Sequence, residues 1–226
     1  MRTLYHFPLD PASRQARIAL GEAKVAFTLA TVNPWAPEEA FLQTVSEGMP
    51  PALVEQTPTG GTAIVAGARA ITEYANDGSK RAQLLPAEPL DRAEVRRLCE
   101  WFDAKFAAEV HTYLLMEKVE NAITRQGTPD TATLRWGREA LGHHLDYIEA
   151  LLEQRDWIGG RRFSLADIAA AGHLSCLDFL GEVKWRERKI LKCWYQKVKS
   201  RPSVQPLLKD RLPGLYAPSW YDDLDF

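Results

Sequence analysis

Few side chains in this sequence have types and spacings that could do nucleophilic, metal or acid–base chemistry. Cys99, Cys176 and Cys193 each sit inside an apolar helical pattern and share no metal-type spacing. Neither a disulfide framework nor a zinc site is expected, and all three read as reduced core thiols. His143 and His144 are neighbours on a helical stretch, where adjacent side chains point to different faces and cannot chelate together, so they read as structural. No metal site is expected. Ser13 stands near the start of a helical pattern, three residues after Asp10. A hydroxyl there can donate to a bound group or cap the helix. The cap is the expected role, because it supplies about 1 kcal/mol with no further machinery.

Charged and aromatic clusters are the remaining candidates. Arg92, Arg96 and Arg97 form a basic stripe at one end of a helix, and Lys184, Arg186, Arg188 and Lys189 surround Trp185. Such runs are ordinarily solvated faces, yet a noncatalytic domain must act through its surface and an acidic partner needs complementary charge. Trp35, between Pro34 and Pro37, is either folded onto the core or displayed. The last residues, Trp220, Tyr221, Asp222, Asp223, Leu224, Asp225 and Phe226, mix aromatics with aspartates. That composition suits docking by aromatic anchors with acidic steering, and equally suits a tail packed on its own helices. The partner-binding candidates are Trp35, Arg92, Arg96, Trp220, Tyr221, Asp222, Asp223, Asp225 and Phe226.

The 226 residues are 46% apolar and 26% charged, which excludes a disordered, collagen-like or disulfide-scaffold protein. Acidic and basic side chains nearly balance at a net charge of −2, so no general attraction for nucleic acid or anionic membrane is expected. No stretch approaches roughly 18 consecutive apolar residues. Met1 to Phe7 lacks the basic segment and apolar run of a signal peptide. The expectation is a cytoplasmic protein with no membrane insertion.

The elements that must position these groups fall into two unequal parts. Leu4 to Phe7 reads as a strand, Ser13 to Leu20 as a helix, and Val25 to Val32 as extended chain. Pro51 to Glu55 and Thr62 to Val65 are strand candidates around the Thr57-Pro58-Thr59-Gly60-Gly61 turn, and Ala70 to Asn76 begins another helix. A linker follows Leu84-Leu85-Pro86. From Asp91 onward Leu98, Phe102, Phe106, Val110 and Leu114 recur every four residues on one helical face. Leu134, Leu141, Leu145, Ile148 and Leu152 mark an antiparallel partner beyond a polar break at Arg125 to Asp130. Ser164-Leu165-Ala166-Asp167 is a capping box opening a mostly apolar helix to Leu180. Ile190, Trp194 and Val198 mark a further helix that should stop before Pro202.

This order of parts, with two local patterns, resembles the glutathione S-transferase superfamily over nearly the whole chain. Met49-Pro50-Pro51-Ala52-Leu53-Val54 is similar to the family's turn into its third strand, with Pro51 matching a cis-proline beside the ligand. Phe163-Ser164-Leu165-Ala166-Asp167-Ile168-Ala169 is similar to the capping box that starts the buried helix of the family's helical domain. The resemblance implies an α/β thioredoxin-like N-terminal domain over 1–80 and an all-α C-terminal domain over 91–213, leaving an acidic-aromatic tail at 214–226.

The same resemblance implies a damaged glutathione site. Where several classes of the family place an activating serine or cysteine, this chain has Asp10, and a carboxylate repels a thiolate. Pro50, before the cis-proline position Pro51, has no N–H to donate. The family's Glu-Ser or Gln-Ser dipeptide falls at Gly67 and Ala68, neither of which can bind. Losing several charge-assisted contacts of about 1.5 to 3 kcal/mol each weakens binding by orders of magnitude. No enzyme activity and no cofactor are therefore expected. The alternative is a working transferase that uses Ser13 as donor and holds glutathione through Arg14 or Arg69.

Phe7-Pro8-Leu9-Asp10-Pro11-Ala12-Ser13-Arg14-Gln15-Ala16-Arg17, the doubled Pro50-Pro51 and the terminal Tyr221-Asp222-Asp223-Leu224-Asp225-Phe226 resemble a narrower group, the glutathione-transferase-like division proteins of alphaproteobacteria. That resemblance implies a homodimer that binds filaments of the tubulin-like FtsZ at the division site and helps drive constriction, with a second division protein fitting the acidic tail.

Overall fold

The computed structural model describes residues 1–57, 59–79 and 83–226. Pro58, inside the expected turn, and residue 80, the expected domain boundary, lie outside the described residues. The N-terminal part runs β1 (Arg2–His6), α1 (Pro11–Glu22), β2 (Thr28–Thr31), α2 (Glu39–Thr44), β3 (Ala52–Gln56), β4 (Thr62–Ala66) and α3 (Ala68–Asp77). The strands form one sheet in the order β2-β1-β3-β4, with β1 and β2 parallel and the other pairs antiparallel. Leu4 pairs with Leu53 across β1 and β3, and both enter the core with Ile18 and Leu20 of α1 and Ile71 of α3. The short α2 was not anticipated from sequence: it buries only Phe41 and is too brief to show a period.

The C-terminal part is helical. A continuous run over 89–124, here α4, begins at Pro89 and ends where Arg125 turns left-handed at φ 58°. Between Trp101 and His111 its turns are widened, and the Thr112 N–H reaches back five residues to the Ala107 carbonyl. The widening explains the four-residue spacing. In an α-helix of about 3.6 residues per turn, each step of four overshoots by about 40°, so five such positions would drift around the helix. Here Leu98, Phe102, Phe106, Val110 and Leu114 are all fully buried.

α5 (Thr131–Leu152) lies against α4, as Leu134, Leu141, Leu145, Ile148 and Leu152 predict. α6 (Leu165–Phe179) is buried at every position and forms the centre of the domain. It starts at the expected capping box, in which the Ser164 N–H donates to Asp167 Oδ2 at 3.0 Å. α7 (Lys189–Lys199) ends before Pro202. Its core face differs from the expected one: Leu191 is buried with Trp194 and Val198, whereas Ile190 is exposed. Cys193 is likewise exposed on α7, while Cys99 and Cys176 are buried as expected.

The two parts join through α1 and α6. A Cβ added at Gly172 of α6 would stand 2.7 Å from the Pro11 carbonyl oxygen, so glycine permits the close approach. Ion pairs cross the same junction. Arg201 holds Glu22 through two bonds of 2.7 Å, and Arg96 holds Glu73 through two of 2.9 Å.

Candidate functional site

The β1–α1 turn sets one wall of the cleft between the two parts. Asp10, not Ser13, is the N-cap of α1: its carboxylate accepts from the Ala12 N–H at 3.3 Å and the Ser13 N–H at 2.8 Å. Proline at the first helical position makes Asp10 the natural cap, because Pro11 has no N–H to satisfy. Ser13 therefore falls inside the helix, fully buried. Its hydroxyl donates to Asp10 Oδ2 at 2.6 Å and accepts from the Phe7 N–H at 3.1 Å. Both of its bonds tie the turn together, so it is not poised to donate into the cleft. Burial pushes the Asp10 carboxyl above its ordinary range, against the pull of the Ser13 hydroxyl and the two amides.

The facing edge comes from β3 and α3. The Pro50–Pro51 bond is cis, and the Pro51 carbonyl accepts the Gly67 N–H at 2.8 Å. Gly67 sits at φ 84°, where glycine is favoured, and Ala68 opens α3. Gly67, Ala68 and Arg69 line the same cavity of about 680 Å³ as Asp10, Asp103 and His173. The structure thus brings Asp10, Gly67 and Ala68 to one cavity. Pro50 lines an adjoining compartment of about 240 Å³ with Trp35, Phe7, Met49 and Leu115.

Trp35 is half-buried in that compartment, its ring meeting Phe7 edge-on at 5.2 Å. The two arginines named as alternative holders of a ligand have other partners. Arg14 is fully buried and donates through Nε to the Pro8 carbonyl at 2.7 Å. Arg69 donates to Asp103 Oδ2 at 3.2 Å, while Gln15 of α1 donates to Asp103 Oδ1 at 2.8 Å. Burial opposes the charge on Asp103, but His173, Gln15 and Arg69 outweigh it and bring the carboxyl below its ordinary range. Sequence inspection missed Asp103 and His173, because their meeting depends on residues 70 apart.

His111, on the cleft side of α4, has both ring nitrogens buried without a hydrogen-bond partner. Burial, with His173 next to it, holds its pKa well below the ordinary histidine value. Burial and then Arg17 lower His6 to about 4. The unfolded chain therefore binds protons that the fold refuses, and stability falls as pH drops below about 6.5. Replacing His111 with leucine should shrink that acid-side loss. Thermal melts at pH 7 and pH 5 check it: the drop between them is smaller in the variant, and an unchanged drop contradicts the assignment.

Among the partner-binding candidates, several prove to be spent within the fold. Arg92 donates to the Pro86 and Ala87 carbonyls at 2.9 and 3.2 Å, fixing the start of α4. Arg96 is held by Glu73, so the basic stripe is largely an internal fastening. Tyr221 is 1% exposed, with its hydroxyl donating to the Leu207 carbonyl at 3.2 Å and its ring edge-on to Phe179 at 5.2 Å. Phe226 packs edge-on to Trp185 at 5.3 Å. These two aromatics point inward because the tail closes over the aromatic end of α6 and α7. Trp220, Asp222, Asp223 and Asp225 remain exposed.

The described residues contain no group of three or more His, Cys, Asp or Glu side chains able to hold a metal ion, and none of their helices is long and apolar enough to cross a membrane. Residues 4–80 match the family model described as the glutathione S-transferase N-terminal domain, and residues 104–202 match that of its C-terminal domain. The chain belongs to the glutathione S-transferase family. Within the family it is 51% identical over 225 residues to "FtsZ-localized protein A" of Caulobacter vibrioides, covering 100% of this chain and 98% of that one. The solved structure of FzlA from C. crescentus matches with a TM-score of 0.96 at 51% identity, covering 100% of this chain and 99% of that one. A solved glutathione S-transferase from Rhodospirillum rubrum F11 matches with a TM-score of 0.94 at 41% identity over all of both chains. The fold is therefore that of the family, a four-stranded mixed sheet of thioredoxin type followed by a helical domain.

Proposed function

We propose that this protein is a noncatalytic member of the family that binds FtsZ filaments as a homodimer at the division site and promotes constriction. The observation that carries the reading is the 51% identity, along the entire chain, to a protein called FtsZ-localized. The cleft supports the noncatalytic half. Pro50 has no N–H, Gly67 and Ala68 have no polar side chain, and the Ser13 hydroxyl is occupied by Asp10 and the Phe7 amide. The family resemblance implies that Asp10 stands at the position of the thiolate's donor, and a carboxylate there would repel a thiolate.

A dimer with two filament-binding faces gains avidity from effective concentration and can cross-link or bend filaments. Exposed Trp220, Asp222, Asp223 and Asp225 are the proposed contact residues, with the half-buried Trp35 at the cleft mouth. Arg92 and Arg96 rank lower because their guanidinium groups already have partners. A variant that is monomeric by sedimentation and still bundles filaments contradicts the bivalent mechanism.

The second reading is a working glutathione transferase, favoured by the 41% identity to the R. rubrum structure. Calorimetric titration with glutathione to millimolar concentration separates the two, and no heat of binding is expected. The double variant Gly67→Glu, Ala68→Ser should gain measurable affinity if these positions stand at the site of the family's dipeptide. Wild-type binding at tens of micromolar or tighter would overturn the noncatalytic reading.

A further inference from the structure

Lys199, near the end of α7, is fully buried, yet it lies under the last residues of the chain. Its ammonium donates to the Trp220 carbonyl at 3.2 Å and to the Asp223 carbonyl at 2.7 Å. The Phe226 ring centroid stands 4.1 Å from Nζ, a cation–π contact that pins this residue. Tyr221 is buried between these contacts, whereas Leu224 and Phe226 are only half-buried and the aspartates face solvent.

A second acceptor waits beneath the ammonium. Asp178 of α6 lies 3.8 Å from Lys199 Nζ, beyond hydrogen-bond distance. Its Oδ1 accepts the Trp185 indole N–H at 2.7 Å, but its buried Oδ2 has no hydrogen bond of good geometry, although Tyr195 and Trp220 face it. An unsatisfied buried carboxylate oxygen beside a buried ammonium is costly, and a short movement of Lys199 would pair the two.

We propose that residues 222–226 form a latch with a docked and a lifted state, hinged on the buried Tyr221, in which Lys199 exchanges the Asp223 carbonyl for the Asp178 carboxylate. Docked, the ammonium gives one hydrogen bond to the latch, at Asp223, and one to Trp220 on the fixed side of the hinge, and leaves Asp178 Oδ2 short of a partner. Lifted, the strap loses a hydrogen bond and the packing of two half-buried side chains, while Lys199 and Asp178 close into a direct ion pair. The fold thus offers the cation a partner in each state, which is the requirement for a two-state element. Lifting frees the Phe226 ring from Lys199 and Trp185. The inference rests on geometry within this chain and does not depend on the filament reading.

Amide hydrogen exchange of Asp223 in the intact protein tests it, since that N–H donates to the Trp220 carbonyl at 3.2 Å when docked and exchange under fast reclosing follows the open population. Phe226→Ala removes a docked-state contact and leaves the lifted-state pair intact, so it should speed exchange roughly fivefold or more, the size of a desolvated cation–π contact. Asp178→Asn keeps an oxygen for Trp185 but weakens the lifted-state pair, and should slow the hydrogen exchange of Asp223 below wild type. Exchange in F226A at the wild-type rate overturns the proposal. If F226A does not fold, D178N decides alone: slower hydrogen exchange supports the switch of partners, and hydrogen exchange equal to or faster than wild type overturns it.

Discussion

Replacing Asp167 with alanine is expected to remove about 3 to 5 kcal/mol of stability, the range for breaking a buried, fully bonded ionisable group. Asp167 is completely buried at the start of α6 and accepts four donors: the Ile158 N–H at 2.9 Å, the Ser164 N–H at 3.0 Å, the Ser164 hydroxyl at 3.0 Å and the Trp194 indole N–H at 2.9 Å. Truncation leaves all four in a site water cannot easily reach, and each orphaned donor adds a desolvation penalty. It also removes the half of the capping box that starts the most buried helix of the molecule, and unties α7 through Trp194. Against a total stability of about 5 to 15 kcal/mol such a loss is visible as a large fall in the urea midpoint. Asp167→Asn keeps one accepting oxygen and should fall between the two. A midpoint for D167A close to wild type would show that the donors find other partners.

Gly172→Ala presents the second large effect, and here two physical arguments predict opposite signs. Helix propensity alone says that alanine stabilises an interior helical position by about 1 kcal/mol over glycine. Packing says otherwise, because the new methyl would meet the Pro11 carbonyl oxygen at 2.7 Å and Gln15 Cγ at 2.6 Å. The Gln15 side chain can swing aside, but the Pro11 oxygen belongs to the first turn of α1 and moves only with the helix. Overpacking of this kind costs about 1 to 3 kcal/mol. The net expectation is destabilisation, together with a looser junction between the parts, since Gln15 also fastens α1 to Asp103. Denaturant titration reads the sign, and a midpoint above wild type would mean that the junction yields at little cost.

Much of this architecture is legible in the sequence because local rules act within a few residues. The Ser164–Asp167 box, the apolar stripes of α4 and α5 and the alternation of mixed and helical parts all depend on neighbours in the chain. The α4 stripe even records its own departure from α-helical geometry, in a spacing of four that widened turns are needed to accommodate. The cap of α1 was equally readable, since Pro11 at the first helical position points to Asp10, and expecting Ser13 there overlooked that signal. Other features have no local signature. Whether Arg96 is free or paired depends on Glu73, 23 residues away, and whether Tyr221 is displayed or buried depends on Phe179 and Leu207. An aromatic-acidic composition is common to both outcomes, so the tail needed coordinates. The cleft shows the same division. The N–H that Pro50 lacks and the polar side chains that Gly67 and Ala68 lack are visible in the sequence, whereas the Asp103, Gln15, Arg69 and His173 cluster assembles only in three dimensions.

The proposed function keeps the transferase fold and turns it to a filament in place of glutathione. Co-sedimentation of the purified protein with FtsZ polymerised in the presence of GTP tests it most directly, with unpolymerised FtsZ as the control. The protein should move to the pellet in a saturable manner with polymer, and substituting Trp220, Asp222, Asp223 and Asp225 together should reduce the pelleted fraction without changing its melting temperature by more than a few degrees. Protein that stays in the supernatant at every polymer concentration would contradict the claim.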